Sequence, residues 1–154
     1  AVAPNLTVRE NLELMAGVYG RSREGAGQVA ERLDLTRWAK ARARTLSGGW
    51  QRRLSIAMAL AAQPEVLFLD EPTLGLDVLA RRELWGVIRG LKGHTTIILT
   101  THYLEEAETL ADRVGVMNHG RLRAVGTAEE LKALAGCGSF EDAFVALAGE
   151  EAAS

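Results

Sequence analysis

Apolar positions in the first 62 residues recur at helical spacing. Leu12, Met15, Ala16 and Tyr19 fall on one helix face. Ahead of them, Thr7-Val8-Arg9-Glu10 is a capping box: the threonine hydroxyl and the glutamate carboxylate satisfy amides that a first turn leaves open. Residues 20–27 read as a loop, with Gly25 and Gly27 as breakers, and residues 29–33 resume the helical pattern. Ser47 then stands before Gly48-Gly49. A strongly helical run follows over residues 50–62, and Pro64 ends it.

Beyond Pro64 the period changes. Val66-Leu67-Phe68-Leu69 is an unbroken apolar run closed by Asp70-Glu71-Pro72, which predicts a strand buried on both faces, as in a parallel sheet. Asp77 is placed to cap a helix through Ile88. Residues 95–100, rich in β-branched side chains, predict a second buried strand. A helix over 104–110, a third strand over 114–117, a turn at Asn118-His119-Gly120 and a hairpin partner over 121–125 follow. Thr127-Ala128-Glu129-Glu130 is another capping box, and residues 139–147 read as a last short helix. Strand, helix, strand, helix, strand in the middle predicts an α/β sheet with right-handed crossovers. Asp70, Glu71 and His102 then fall just past the carboxyl ends of strands, where open α/β sheets bind ligands.

The bulk numbers narrow the function classes. With 18 Lys and Arg against 20 Asp and Glu, the formal net charge is -2, unlike the strongly basic make-up of nucleic-acid binders. The local basic stretch Arg37, Lys40, Arg42 and Arg44 reads as a solvated helix face and loop. One cysteine, Cys137, makes no internal disulfide and points to a reducing compartment. No apolar run reaches the roughly 18 residues needed to cross a bilayer, and no signal peptide pattern opens the chain. Ala1 stands where an initiator Met would, so it is expected to be a boundary within a longer polypeptide or a cleavage point.

Three places carry candidate chemistry. In Asp70-Glu71, the first carboxylate suits a hydrated Mg²⁺ ion and the second could take a proton from an attacking water. The competing reading is a solvated turn before Pro72. Leu46-Ser47-Gly48-Gly49-Trp50-Gln51 puts small residues at a helix start, where open amides and the helix dipole bind phosphate. A capped helix after a tight turn competes there. His102 could hydrogen-bond a phosphate oxygen or position a water. His94 and His119 read as surface residues of turns.

The order of these features resembles the ABC ATPase family. Leu46-Ser47-Gly48-Gly49 matches its signature motif and Leu69-Asp70-Glu71-Pro72 its Walker B strand. Leu74-Gly75-Leu76-Asp77 matches its D-loop, and Thr100-Thr101-His102 its switch histidine. The resemblance runs from Ala3 to about Ala135. It implies an α/β fold: a truncated P-loop NTPase core with a parallel sheet, plus an α-helical subdomain. On that reading residues 1–62 are the α-helical signature subdomain, 63–126 the ATPase core and 127–154 C-terminal helices.

The resemblance also implies roles. Asp70 helps hold Mg²⁺, Glu71 polarises the hydrolytic water and His102 contacts the γ-phosphate. Ser47, Gly48 and Gly49 clamp ATP bound to the opposite subunit. Gln51 and Arg52 extend the signature helix near that interface, and Asp77 links the two subunits. It implies a head-to-tail second ATPase subunit, an integral membrane permease partner, and a location at the cytoplasmic face of a membrane. No nucleic-acid partner is expected. The stretch through Arg52-Arg53-Leu54, with Glu10-Asn11-Leu12 and residues 140–147, is similar to ABC-2 type exporters. Rival readings are a soluble ABC ATPase acting on ribosomes or DNA, and a non-catalytic interaction module.

The sequence departs from the family in one large respect. It contains no Gly-x-x-x-x-Gly-Lys-Ser/Thr loop, the element that supplies the Lys and most amides holding the β- and γ-phosphates. These 154 residues alone are therefore expected neither to bind ATP and Mg²⁺ tightly nor to hydrolyse ATP. Without the strand that precedes that loop in the family, the sheet is expected to have an open slot and unpaired edges, so self-association is also expected. Smaller departures are Val78, where many relatives carry Pro, and Trp50, where Gln or Met is more usual; Trp50 is expected to adjust the subunit interface.

Overall fold

Thr7 starts the first helix as its sequence predicts. The computed structural model describes residues 1–149, and α1 spans Val8–Val18. The Thr7 hydroxyl accepts from the Glu10 amide at 3.2 Å, and the Thr7 amide donates to Glu10 Oε2 at 2.7 Å. These bonds from the Thr7 backbone, and then from its side chain, hold the Glu10 carboxyl below its ordinary range. A lowered carboxyl contributes stability above its unfolded pKa and loses it as pH falls through the folded one. Thr7→Ala is expected to cost about 1 kcal/mol near neutrality, and the difference from wild type should shrink below about pH 4. Urea titrations at the two pH values check this.

α1 is fastened to the residues before it. Asn11 is wholly buried. Its Oδ1 accepts from the Ala3 amide at 2.8 Å, and its Nδ2 donates to the carbonyls of Ala3 at 3.1 Å and Thr7 at 2.9 Å. Backbone bonds from Val8 to Ala41 and from Ala43 to Leu6 close the same segment against residues 39–44.

The next helix corrects the sequence reading. Residues 20–27 are not a loop: α2 spans Arg23–Arg32, with Ser22 as its N-cap accepting from the Gly25 amide. Gly25 and Gly27 lie inside it. Each glycine costs about 1 kcal/mol in a helix, and burial of Ala26 together with packing on α1 and α3 offsets that. Single 3₁₀ turns follow at Thr36–Trp38 and Ala43–Thr45. α3 spans Gly48–Ala61 and begins at the glycines themselves. Leu12, Leu33, Leu35 and Leu54, all at most 2% exposed, form the interior of this helical layer. Each such side chain contributes about 1.5–3 kcal/mol by burial.

β1 (Val66–Asp70) pairs in parallel with β2 (Thr96–Thr100), from Val66 opposite Thr96 to Asp70 opposite Thr100. α4 (Val78–Leu91) connects them, and Asp77 caps it by accepting from the Ala80 amide at 2.9 Å. The expectation of strands buried on both faces fails. β1 alternates, with Leu67 and Leu69 buried but Val66 42% and Phe68 71% exposed, and Ile98 on β2 is 46% exposed. An unbroken apolar run reports what a strand can bury, and in this chain only one face is covered.

The third predicted strand does not join that sheet. β3 (Val114–Asn118) pairs antiparallel with β4 (Arg121–Gly126) in a separate two-stranded sheet. His119 and Gly120 both have positive φ, 47° and 72°. That is the pairing a two-residue type I′ hairpin demands, and glycine meets it without strain. α5 (Leu104–Leu110), α6 (Ala128–Ala135) and α7 (Phe140–Gly149) complete this part. Thr127 and Glu130 form the second capping box at α6. Val116, Leu131, Phe140 and Leu147 make its core. By its contacts the chain divides into two compact units, residues 1–100 and the residues from Thr101 on. Among the described residues no helix is long and apolar enough to cross a membrane.

Candidate functional site

Asp70 ends β1 and is exposed. The Thr100 hydroxyl, opposite it in the register, donates to the Asp70 carboxylate. Glu71 follows in the left-handed region at φ 46°, a backbone that costs a non-glycine residue roughly 1–2 kcal/mol. The surroundings hold it there. Its amide donates to the Thr100 carbonyl at 3.0 Å, Pro72 and Thr73 are buried behind it, and the Leu74 amide returns to its carbonyl. Strain kept in this way clusters at functional sites. Asp70 lies in solvent and Glu71 is half-buried. Mg²⁺ sheds its waters reluctantly and binds through one or two carboxylates, so an exposed Asp70 suits a hydrated ion.

Ser47 is the N-cap residue of α3, yet its hydroxyl makes no capping bond. Ser47 and Gly48 are exposed. The plain capped-helix reading therefore does not account for Ser47, whose exposed hydroxyl stands beside the open amides of the first turn. Gln51 Nε2 turns back to the Leu46 carbonyl at 2.9 Å, which fixes the entry to the helix. Gly49 has a structural reason as well: a Cβ there would lie 3.2 Å from the Cβ of Ala80 on α4. Gly48 faces Leu76. The structure thus brings Ser47-Gly48-Gly49 beside the Leu76-Asp77 turn. A small hollow of about 140 Å³ is lined by Arg52, Ser55, Phe68, Asp70 and Pro72, among others, so α3 also flanks the end of β1.

This arrangement has counterparts in known proteins. The family model for the ABC transporter matches residues 1–74. The daunorubicin resistance ATP-binding protein DrrA3 of Streptomyces coeruleorubidus is 48% identical over 141 residues, which is 88% of this chain and 45% of that protein. In sequence the chain is similar to ATP-binding subunits of ABC transporters. ABC transporter A family member 9 of Arabidopsis thaliana is 46% identical over 137 residues, 86% of this chain and 14% of that protein. A solved ATP-binding subunit of an ABC transporter superposes with a TM-score of 0.77 at 28% identity, covering 96% of this chain and 64% of the other. The chain spans less than half the length of the two curated relatives it matches here. ABC ATPases as a family use ATP and Mg²⁺.

Of the residues singled out in the sequence, Asp70 and Glu71 share one turn, and Ser47, Gly48, Gly49, Gln51 and Asp77 share the α3–α4 junction. His102 lies in the second unit, is exposed, and has its ring 4.2 Å from that of Tyr103. Sequence reasoning passed over Thr100, which touches both Asp70 and the Glu71 amide. A hydroxyl residue closing an apolar strand was its signal. It also took Arg37 for part of a solvated face. Arg37 is exposed as that reading expects, and its guanidinium also lies over the Trp50 ring at 4.6 Å, with Arg53 over the same ring at 4.3 Å. A cleft of about 780 Å³ opens beside them, away from Asp70 and Glu71.

Proposed function

We propose that this chain is the signature and Walker B portion of an ATP-hydrolysing subunit that powers export through a membrane permease. The observation that carries the reading is the Ser47-Gly48-Gly49 helix start, exposed and without a side-chain cap, packed on the Leu76-Asp77 turn. The names of the two curated relatives, drug-resistance and transporter proteins, support transport over a ribosome- or DNA-directed ATPase. Residues 1–62 form the signature subdomain on this reading, 63–126 the catalytic core and 127–154 its C-terminal helices.

Each residue then has a task. Asp70, oriented by Thr100, holds the water shell of Mg²⁺. Glu71 accepts a proton from the water that attacks the γ-phosphorus, and its strained turn keeps the carboxylate at the strand end. His102 donates a hydrogen bond to a γ-phosphate oxygen. Ser47, Gly48 and Gly49 offer the hydroxyl and amides to ATP held by a second, head-to-tail subunit, with Gln51 fixing their turn and Asp77 meeting that partner. Mg²⁺, when bound, neutralises charge developing on the β- and γ-phosphates. The Gly-Lys-Ser/Thr loop that grips those phosphates is supplied by other polypeptide. Such a subunit works at the cytoplasmic face of the membrane.

A phosphate-release assay on the complete subunit tests the reading. Steady Mg-dependent ATP turnover is expected, and its absence with permease present would end the proposal. The 154-residue chain alone is expected to associate through the open β1–β2 ribbon, where Val66, Phe68 and Ile98 share an exposed face. Light scattering should show mass rising with concentration, and Phe68→Lys should suppress the rise. A monodisperse wild-type monomer would refute this part.

A further inference from the structure

Arg53 is a buried cation to which the proposed site gives no task. Its side chain is 8% exposed. Nη1 donates to the Leu33 carbonyl at 3.4 Å and to Asp34 Oδ2 at 3.3 Å, and Nη2 lies 3.5 Å from Glu83 Oε2. The guanidinium also covers the Trp50 ring. Three elements meet at this one group: the end of α2, the first turns of α3 and the middle of α4.

The neighbouring backbone is shaped to serve it. Asp34 follows the α2 C-cap with φ 57°, a position where glycine is the usual occupant. Its carboxylate contact with Arg53 offsets that conformation. Trp50 directly follows Gly49, and Glu83 lies six residues beyond Asp77. The same cation therefore grips α3 about one turn from Ser47 and α4 under two turns from Asp77.

Packing of Gly49 on Ala80 sets how closely the two helices approach, but van der Waals contact is non-directional and leaves sliding along the helix axis weakly specified. A mostly buried guanidinium with two carboxylates, a carbonyl and an aromatic face is directional, and losing it removes the contacts to α2 and α4 together.

We infer that Arg53 is a positioning residue that locks the start of α3 to α4, so that Ser47-Gly48-Gly49 and Asp77 move as one surface. The use of that surface toward a second subunit rests on the proposed function; the mechanical coupling does not.

Arg53→Met keeps the stem and removes the charge, and Arg53→Lys keeps the charge without the fork. Amide hydrogen exchange on the chain itself reads the coupling through helical amides near the node, Gln51 bonded to Ser47 and Arg81 bonded to Asp77. Arg53→Met is expected to speed exchange by about tenfold at residues 51–54 and 81–84 together, with α6 unchanged and Arg53→Lys intermediate. Loosening of only one segment, or of neither, overturns the inference. In the complete subunit carrying Glu71→Gln, Arg53→Met should weaken ATP-driven pairing by about tenfold while Mg-ATP affinity of the single subunit stays within about twofold. Equal losses in both would reduce Arg53 to general stability and overturn its positioning role. If the Glu71→Gln parent shows no ATP-driven pairing, the proposed function falls, and hydrogen exchange still decides the coupling.

Discussion

Glu71→Gln in the complete subunit is expected to lower ATP turnover by about 10²–10⁴-fold, the usual contribution of a general base. The substitution keeps shape and hydrogen-bonding length and removes only the capacity to accept a proton. The backbone argument strengthens the case. Glu71 sits at φ 46° with its amide tied to the Thr100 carbonyl, so Gln inherits the same strained turn and should leave the fold intact. Single-turnover phosphate release together with equilibrium Mg-ATP binding is the measurement. A turnover loss with unchanged binding supports Glu71 as the base. Turnover within a few-fold of wild type would move the proton-accepting role elsewhere and leave Glu71 as a turn residue.

Phe140→Ala is expected to cost about 3–5 kcal/mol. Phe140 is 3% exposed and stands in a small core with Val116, Leu131 and Leu147. Small units bury proportionally little surface and have little stability to spare. Losing one of four core side chains should therefore unfold α6 and α7 rather than merely soften them. Val145 on the same helix is 64% exposed, and Val145→Ala should change stability by no more than about 0.5 kcal/mol. Thermal melts of both variants, with hydrogen exchange across residues 128–149, separate the cases. Equal melting behaviour would mean that this cluster is not what holds the second unit together.

What could be read from the chain divides along a physical line. Features governed by residues within one turn of each other were legible: the capping boxes at Thr7 and Thr127, the Asp77 cap, and the His119-Gly120 hairpin. Their chemistry is local, so spacing alone specifies it. Features governed by partners distant in sequence were not. Gly25 and Gly27 argue against a helix by propensity, and tertiary packing of α2 overrides them. Val66 and Phe68 read as interior because an apolar run does not say what covers it. Arg37 is exposed as its sequence suggested, but nothing nearby in sequence announces that Trp50 lies beneath it. At the site, the motif residues were visible by type and order. Thr100 and Arg53 were not, since their roles exist only across a parallel register and a three-helix junction.

The Asn11 contacts carry a consequence for how motion enters this protein. Both the amide and the carbonyl of Ala3 are bonded to a single side chain rooted in the first turns of α1. A displacement of Ala3 must therefore either carry Asn11 with it or break both of these hydrogen bonds.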